Sequence, residues 1–424
     1  MIFDKIKTKV KSRQSENSRY IVSLDVGTEF VKALIGRVDG DAIEIIGVGR
    51  KHQELADMHS GAIADISAVV ANCESALTQA EKQAGVSARQ TVIGVAGELV
   101  KGTNGTIRYK RANPKQEITM DEMEYIVKKV QERAQKQAKK QLNWELGIND
   151  VDIRMVNSAI VSIQIDGYKV SNPIGFQGRD VAIQLYTAFA PMIHIGALER
   201  TATDLDLDLI AIAAEPFAVA RSVIGDDASS NFSAVLIDVG GGTTDIAVVN
   251  DGGVEGTKMF GIGGRSFTKN IASELNLSFG VAEELKLRLS SGKLEKSQEE
   301  TALKAVQKTL AVWLSGVELA LSEFESLDRL PTKILLCGGG ASLKALVDAL
   351  KQKQWHINLP FSRQPDIQYI QPEQVIKITD TTGKVTDHSY ITPMGLLRVG
   401  HDTIQTSNDT SSSITEKLNR MLRI

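Results

Sequence analysis

Residues 235–249, VLIDVGGGTTDIAVV, decide how this chain is read. Two short β-branched runs, 235–239 and 246–249, are broken by three glycines and two threonines, so one strand turns tightly and resumes as a second. Gly240, Gly241 and Gly242 carry no Cβ where the backbone turns, and such a turn presents N–H groups to an anion. Thr243 and Thr244 add hydroxyl donors, and Asp238, at the strand end, is placed to hold the waters of a magnesium ion. An ordinary glycine-rich turn has the same composition, so the stretch needs a second observation.

Residues 23–35, SLDVGTEFVKALI, supply it by repeating the order of apolar strand, Asp, apolar residue, Gly, Thr and apolar strand. Two such hairpins far apart in one chain point to a duplicated unit whose halves face each other across a cleft. A third glycine turn lies in residues 335–346, LLCGGGASLKAL, between a strand and a helix. Its Gly338, Gly339 and Gly340 let the backbone approach a base or ribose closely. None of the three has the GxGxxG spacing with a downstream ribose acid, which excludes a Rossmann dehydrogenase.

Together these turns resemble the actin-like ATPase superfamily, and the resemblance covers nearly the whole chain. Asp25, Gly27 and Thr28 match its first phosphate loop, residues 238–244 its second, and residues 335–346 its adenosine loop. Residues 215–224, EPFAVARSVI, match the first connecting helix and residues 393–397, PMGLL, the second. Residues 282–286, AEELK, are similar to the helix whose Glu and Lys, here Glu283 and Lys286, touch ribose and adenine. Gly263 and Gly264, ahead of a helix in residues 261–272, read either as another close backbone approach or as a plain loop-to-helix turn. The resemblance implies a two-domain α/β ATPase fold with ATP and Mg2+ as ligands. Asp25 and Asp238 would position hydrated magnesium, and Glu215 would orient an attacking water in a weak ATPase or a pure nucleotide switch. A carboxylate beside Pro216 is also what a helix start contains.

At 424 residues the chain exceeds one core, so two or more domains are expected. Its 42% apolar and 24% charged residues are those of a globular protein, and a net charge of -3 argues against nucleic acid as a bulk partner. Cys73 and Cys337 lack metal-ligand spacing and read as buried thiols in a reducing cytoplasm. No apolar run is long enough to span a bilayer, and the first residues lack a signal-peptide core. Residues 1–18 place Ile2, Ile6 and Val10 at helical spacing among Lys5, Lys7, Lys9, Lys11 and Arg13, either a basic amphipathic helix or a solubilising tail.

The boundaries expected are 19–87 with 191–212 for the first actin-like domain, 88–190 for an insertion, 213–254 with 331–401 for the second domain, and 255–330 for a helical subdomain. A covering helix is expected from about Gly61 to Ala84, and a helix from Thr119, with a capping box, to about Gln141. In the helical subdomain Trp313, Val317, Leu321 and Phe324 fall at core spacing. A small α+β insertion at this place resembles the SHS2-type subdomain of the FtsA family and of its relative, the PilM family. Residues 166–178, DGYKVSNPIGFQG, are similar to the FtsA pattern of a DG turn followed by NPIG, while the EPFAVAR helix departs toward PilM and MreB forms.

After Gly400, residues 402–413 read as a polar linker, and residues 414–424, ITEKLNRMLRI, as an amphipathic helix with a capping box at Ser413 and Glu416. Ile414, Leu418, Met421 and Leu422 form its apolar face, with Lys417, Arg420 and Arg423 around it, which suits an anionic membrane surface. FtsA proteins end this way. That resemblance implies self-association into filaments, a site for the FtsZ C-terminal tail peptide in the 255–330 region, and placement on the cytoplasmic face of the cell membrane at the division site. The competing PilM resemblance implies pilus assembly and a short peptide ligand from an inner-membrane partner. A DnaK-type chaperone would need a substrate-binding domain after Gly400, and a sugar kinase would lack the insertion.

Overall fold

The computed structural model describes residues 19–224, 231–324 and 327–408. The chain begins with β1 (Tyr20–Val26), β2 (Phe30–Asp39) and β3 (Ala42–His52), an antiparallel meander of β-branched residues, followed by a small ribbon of β4 (Met58–His59) and β5 (Ala62–Ile63). Helix α1 (Ile66–Ala84) then buries Val69, Cys73, Ala76, Leu77 and Ala80 against the sheet. It starts later than its periodicity suggests, because Ala62 and Ile63 pair with Met58 and His59 and the Asp65 side chain caps the helix by accepting from the Ala68 amide.

β6 (Gln90–Val95) pairs parallel with β1. This corrects the expected start of the insertion at residue 88, since β6 is a central strand of the first sheet. The inserted unit consists of β7 (Lys101–Lys110), α2 (Met120–Leu146), β8 (Ile153–Ile165), β9 (Tyr168–Lys169) and β10 (Asp180–Pro191). Its own core gathers Met123, Ile126, Val127 and Val130 of α2 against Ile160, Ile163, Val181 and Ile183 of the strands. The Thr119 hydroxyl caps α2 by accepting from the Glu122 amide, as the sequence indicates, but the helix runs past Gln141 to the left-handed Gly147. Helix α3 (Met192–Asp204) and β11 (Asp208–Ala214) complete the first half.

The second half repeats the first. After α4 (Glu215–Val223), β12 (Ala234–Val239), β13 (Thr244–Asn250) and β14 (Gly253–Phe260) form another antiparallel meander. Helices α5 (Gly264–Leu275), α6 (Phe279–Ser290) and α7 (Lys296–Ser322) follow, then β15 (Lys333–Cys337), which pairs parallel with β12 as β6 does with β1. Helix α8 (Lys344–Leu350), β16 (Asp366–Tyr369), β17 (Ile378–Asp380) and α9 (Ile391–Asn408) close the order. One sheet runs β11-β6-β1-β2-β3-β17, and the other runs β16-β15-β12-β13-β14-β7-β10-β8-β9. The inserted sheet thus continues the second sheet through the Thr257 and Gly102 pair.

Three further boundaries move. Residues 253–260, placed partly in the helical subdomain, form β14 within the sheet. Residues 378–380, placed in the second domain, pair with β3 of the first sheet, and α9 packs on β1, β6 and β11. The polar linker does not begin at 402, because α9 continues to Asn408 and Asp402 is ion-paired to Arg221 at 2.6 Å and to Arg398 at 3.2 Å. Helices α4 and α9, the two connecting helices of the resemblance, cross so closely that a Cβ on Gly395 would lie 2.1 Å from the Ala218 carbonyl oxygen. The N-terminal residues 1–18, residues 409–413 and the apolar set Ile414, Leu418, Met421 and Leu422 lie outside the described residues.

Candidate functional site

The two hairpin turns meet face to face. The β1–β2 turn carries Gly27, Thr28 and Glu29, and the β12–β13 turn carries Gly240 to Thr243. A Cβ on Gly241 would sit 2.6 Å from the Glu29 Cβ, and one on Gly242 2.5 Å from the Thr28 hydroxyl, so only glycine allows this approach. The turn at Gly338, Gly339 and Gly340 closes a third side of the same cleft. Asp25, Glu215, Asp238, Gly264, Glu283 and Lys286 line it as well.

Two expected residues do not line the cleft. Successive side chains of a strand point to opposite faces, so Thr243 faces in and Thr244 faces out. The Thr244 hydroxyl donates to the Ile262 carbonyl at 2.7 Å and accepts from the Trp313 indole at 2.9 Å, fixing α7 to the sheet. Gly263 lies beneath the second turn, where a Cβ would be 2.7 Å from the Gly240 carbonyl oxygen. The amides of Gly264 and Arg265 are donated to the carbonyls of Gly240 and Gly241, so this helix start holds the turn in shape. At the other end of the cleft, the Lys286 ammonium bonds Glu283 at 2.8 Å, the Thr268 hydroxyl at 2.9 Å and the Gly264 carbonyl at 3.1 Å.

Strand register explains the electrostatics. Asp25 lies directly opposite Lys32, and Asp238 opposite Asp245, at the same position in the two halves. The first pair forms an ion pair at 3.0 Å. The second places two buried acids across from each other, which costs stability unless something cationic joins them. Burial, then the charges of Asp25, Asp245 and Asp238, hold the Glu215 carboxyl well above the usual carboxylate range, against the opposing pull of Lys32. Burial and then Asp238 raise Asp245 likewise. Burial also raises Asp238, although its bond from Thr392 and the nearby Lys32 oppose the shift. One Asp245 oxygen receives a weak bond from the Thr243 hydroxyl at 3.3 Å, and the other is buried with no hydrogen-bond partner.

Lys32, Asp245, Arg50, Arg265 and Thr392 line the cleft and escaped the sequence reading. For the first two the signal was present: seven residues after each turn's leading Asp stands a charged residue inside an apolar strand. Six acidic and four basic side chains line the cleft in all. Among the described residues no group of three or more His, Cys, Asp or Glu is arranged to hold a metal ion directly. A divalent cation held there would reach the cleft's carboxylate oxygens through water.

Because their carboxyls are raised, Glu215 and Asp245 favour the fold below the ordinary carboxylate range, and that contribution is lost as pH rises through their folded-state values. Replacing either by its amide should raise the melting temperature of the ligand-free protein at neutral pH by roughly 1–3 °C, for relief of about 1 kcal/mol. Both changes should weaken cation-dependent ligand binding. A lower melting temperature in both variants would show that the carboxylates stabilise the empty cleft.

A family model described as "Cell division protein FtsA" matches residues 235–395. The chain is 28% identical to the cell division protein FtsA of Bacillus subtilis over 291 residues, covering 67% of this chain and 61% of that protein. It is 26% identical to FtsA of Pseudomonas aeruginosa over 412 residues, covering 91% of this chain and 90% of that one. The chain thus spans about three-fifths of the first relative and nine-tenths of the second. A solved chain of the PilM-PilN type IV pilus biogenesis complex superposes with a TM-score of 0.65 at 15% identity, over 90% of this chain and 98% of that one. The chain is similar to FtsA proteins along up to nine-tenths of its length and shares its fold with the pilus complex chain. Among the described residues no helix is long and apolar enough to cross a membrane.

Proposed function

We propose that this chain is an ATP-binding actin homologue of bacterial cell division that polymerises at the membrane and tethers FtsZ filaments to it. The observation that carries the nucleotide reading is the pair of interlocked glycine turns beside an acidic cluster that Lys32 compensates only in part. The division reading rests on curated relatives that bear the FtsA name along up to 91% of the chain.

In this reading Asp25 and Asp238, with Asp245, hold the waters of Mg2+, and Gly27, Thr28 and Gly240 to Thr243 cradle the phosphates. Gly338, Gly339 and Gly340 face the nucleoside together with Glu283 and Lys286. Magnesium neutralises phosphate charge. Glu215, buried at the start of α4, is the carboxylate that would orient an attacking water.

Membrane attachment is assigned to residues 414–424. Four apolar side chains at about 1.5 kcal/mol each supply roughly 6 kcal/mol, a dissociation constant of tens of micromolar. Such an anchor is weak alone and strong when filaments present many copies. FtsZ tail docking is assigned to the α5–α7 region, where α7 exposes Val312 and Leu319.

Liposome co-sedimentation tests the reading. Removing residues 414–424 should release the protein from anionic vesicles with ATP binding unchanged, and a peptide of the FtsZ C-terminal tail should bind wild type. The TM-score of 0.65 with the pilus complex chain favours one alternative, a PilM-like pilus role. That role gains if the truncated protein still sediments and the FtsZ peptide does not bind.

A further inference from the structure

Arg265 is a buried guanidinium, 7% exposed, that the phosphate turns and the acidic cluster leave unexplained. It belongs to α5 of the second half, yet its side chain ends in the first. Its Nε donates to Glu29 Oε2 at 2.5 Å and its Nη2 to the Gln53 carbonyl at 2.9 Å. Those partners form one frame, because the Gln53 amide donates to the Glu29 carbonyl at 3.0 Å and the Gln53 side chain to the Gly27 carbonyl at 2.7 Å. Glu29 is held from its other oxygen by His52 at 2.9 Å. The Arg265 main-chain amide meanwhile donates to the Gly241 carbonyl at 2.8 Å. One residue therefore grips the second turn through its backbone and the first turn through its side chain.

We infer that Arg265 is the positioning residue that sets the separation of the two phosphate turns, so that retention of a triphosphate depends on it. This rests on reading the cleft as a nucleotide site. The planar fork of arginine suits the task, since it satisfies a carboxylate and a carbonyl in fixed directions while a lysine ammonium offers only a point charge. Among variants of one binding site most of a change in affinity falls on dissociation, so loss of the grip speeds release more than it slows entry.

Stopped-flow release of a fluorescent ATP analogue in excess Mg2+ provides the test. Arg265→Ala should raise the dissociation rate by about tenfold or more with association changed less than about threefold. Arg265→Lys should fall between, and Glu29→Gln should act in the same direction. The double variant Arg265→Ala with Glu29→Gln should release no faster than Arg265→Ala alone, the mark of a shared interaction. A second readout needs no nucleotide: spin labels on cysteines replacing exposed Lys82 and Lys293, with Cys73 and Cys337 buried out of reach. Their distance distribution should broaden in Arg265→Ala. A wild-type protein that binds ATP but whose Arg265→Ala and Glu29→Gln variants release it at the wild-type rate overturns the inference and leaves the nucleotide site standing. Wild type that binds no ATP refutes the nucleotide site itself. An unchanged distance distribution overturns the coupling of the turns in either case.

Discussion

Gly241→Val should weaken ATP binding by more than about a hundredfold, roughly 3 kcal/mol, while the ligand-free protein keeps its fold. The added Cβ would lie 2.6 Å from the Glu29 Cβ and 3.1 Å from its amide nitrogen. Neither is the far end of a flexible side chain, so the turns must separate, and the amides they aim at a polyanion separate with them. Strands β12 and β13 are untouched, because the residue lies in the turn between them. Titration calorimetry measures the loss, and circular dichroism of the empty protein checks the fold. Near-normal affinity with an intact fold would mean that the turns do not grip phosphate.

Asp402→Ala should cost about 3–5 kcal/mol of stability, read as a lower urea midpoint. Its carboxylate serves Arg221 and Arg398, whose side chains are only 3% and 7% exposed, and removal leaves that buried positive charge under-compensated. Burial alone would raise the Asp402 carboxyl, but Arg221, with help from His401 and Arg398, brings it down to about 2. A depressed acid stabilises the fold above its unfolded value, and the benefit disappears as pH falls from about 4 to about 2. The variant should therefore lose most of its disadvantage against wild type below that window. A urea midpoint within the error of wild type at pH 7 would show that α9 is not held by this pair.

Asp402 also shows where sequence reasoning met its limit. Residues from 402 onward read as a polar linker because side chains such as Thr403, Gln405 and Thr406 give no apolar stripe. The helix continues there because α9 is anchored by charge, through an arginine 181 positions earlier in the chain, and no local pattern reports that. β6 misled for a related reason. Its strand character was plain, yet which sheet it joins depends on parallel pairing with β1 and β11, a non-local choice.

The cleft itself was more legible. Glycine turns and their leading acids follow from local chemistry, and the duplicated order placed them face to face. Thr244 failed because strand alternation was not carried through the turn, although Thr243 and Thr244 cannot both face one side. Asp245 and Lys32 became meaningful only when register set them opposite Asp238 and Asp25. Arg265 had no signal in the chain at all, since its partners Glu29 and Gln53 belong to the other half of the molecule.

Central to this reading is a cleft that takes a nucleoside triphosphate together with a divalent cation. Titration of ATP into the wild-type protein, with and without excess Mg2+, tests it most directly. Clear binding is expected with the metal, with a loss of at least about tenfold when the metal is chelated, and weaker binding than wild type in excess Mg2+ for both Asp238→Ala and Asp245→Asn. Binding of equal strength with and without Mg2+, or no binding in either condition, would contradict it.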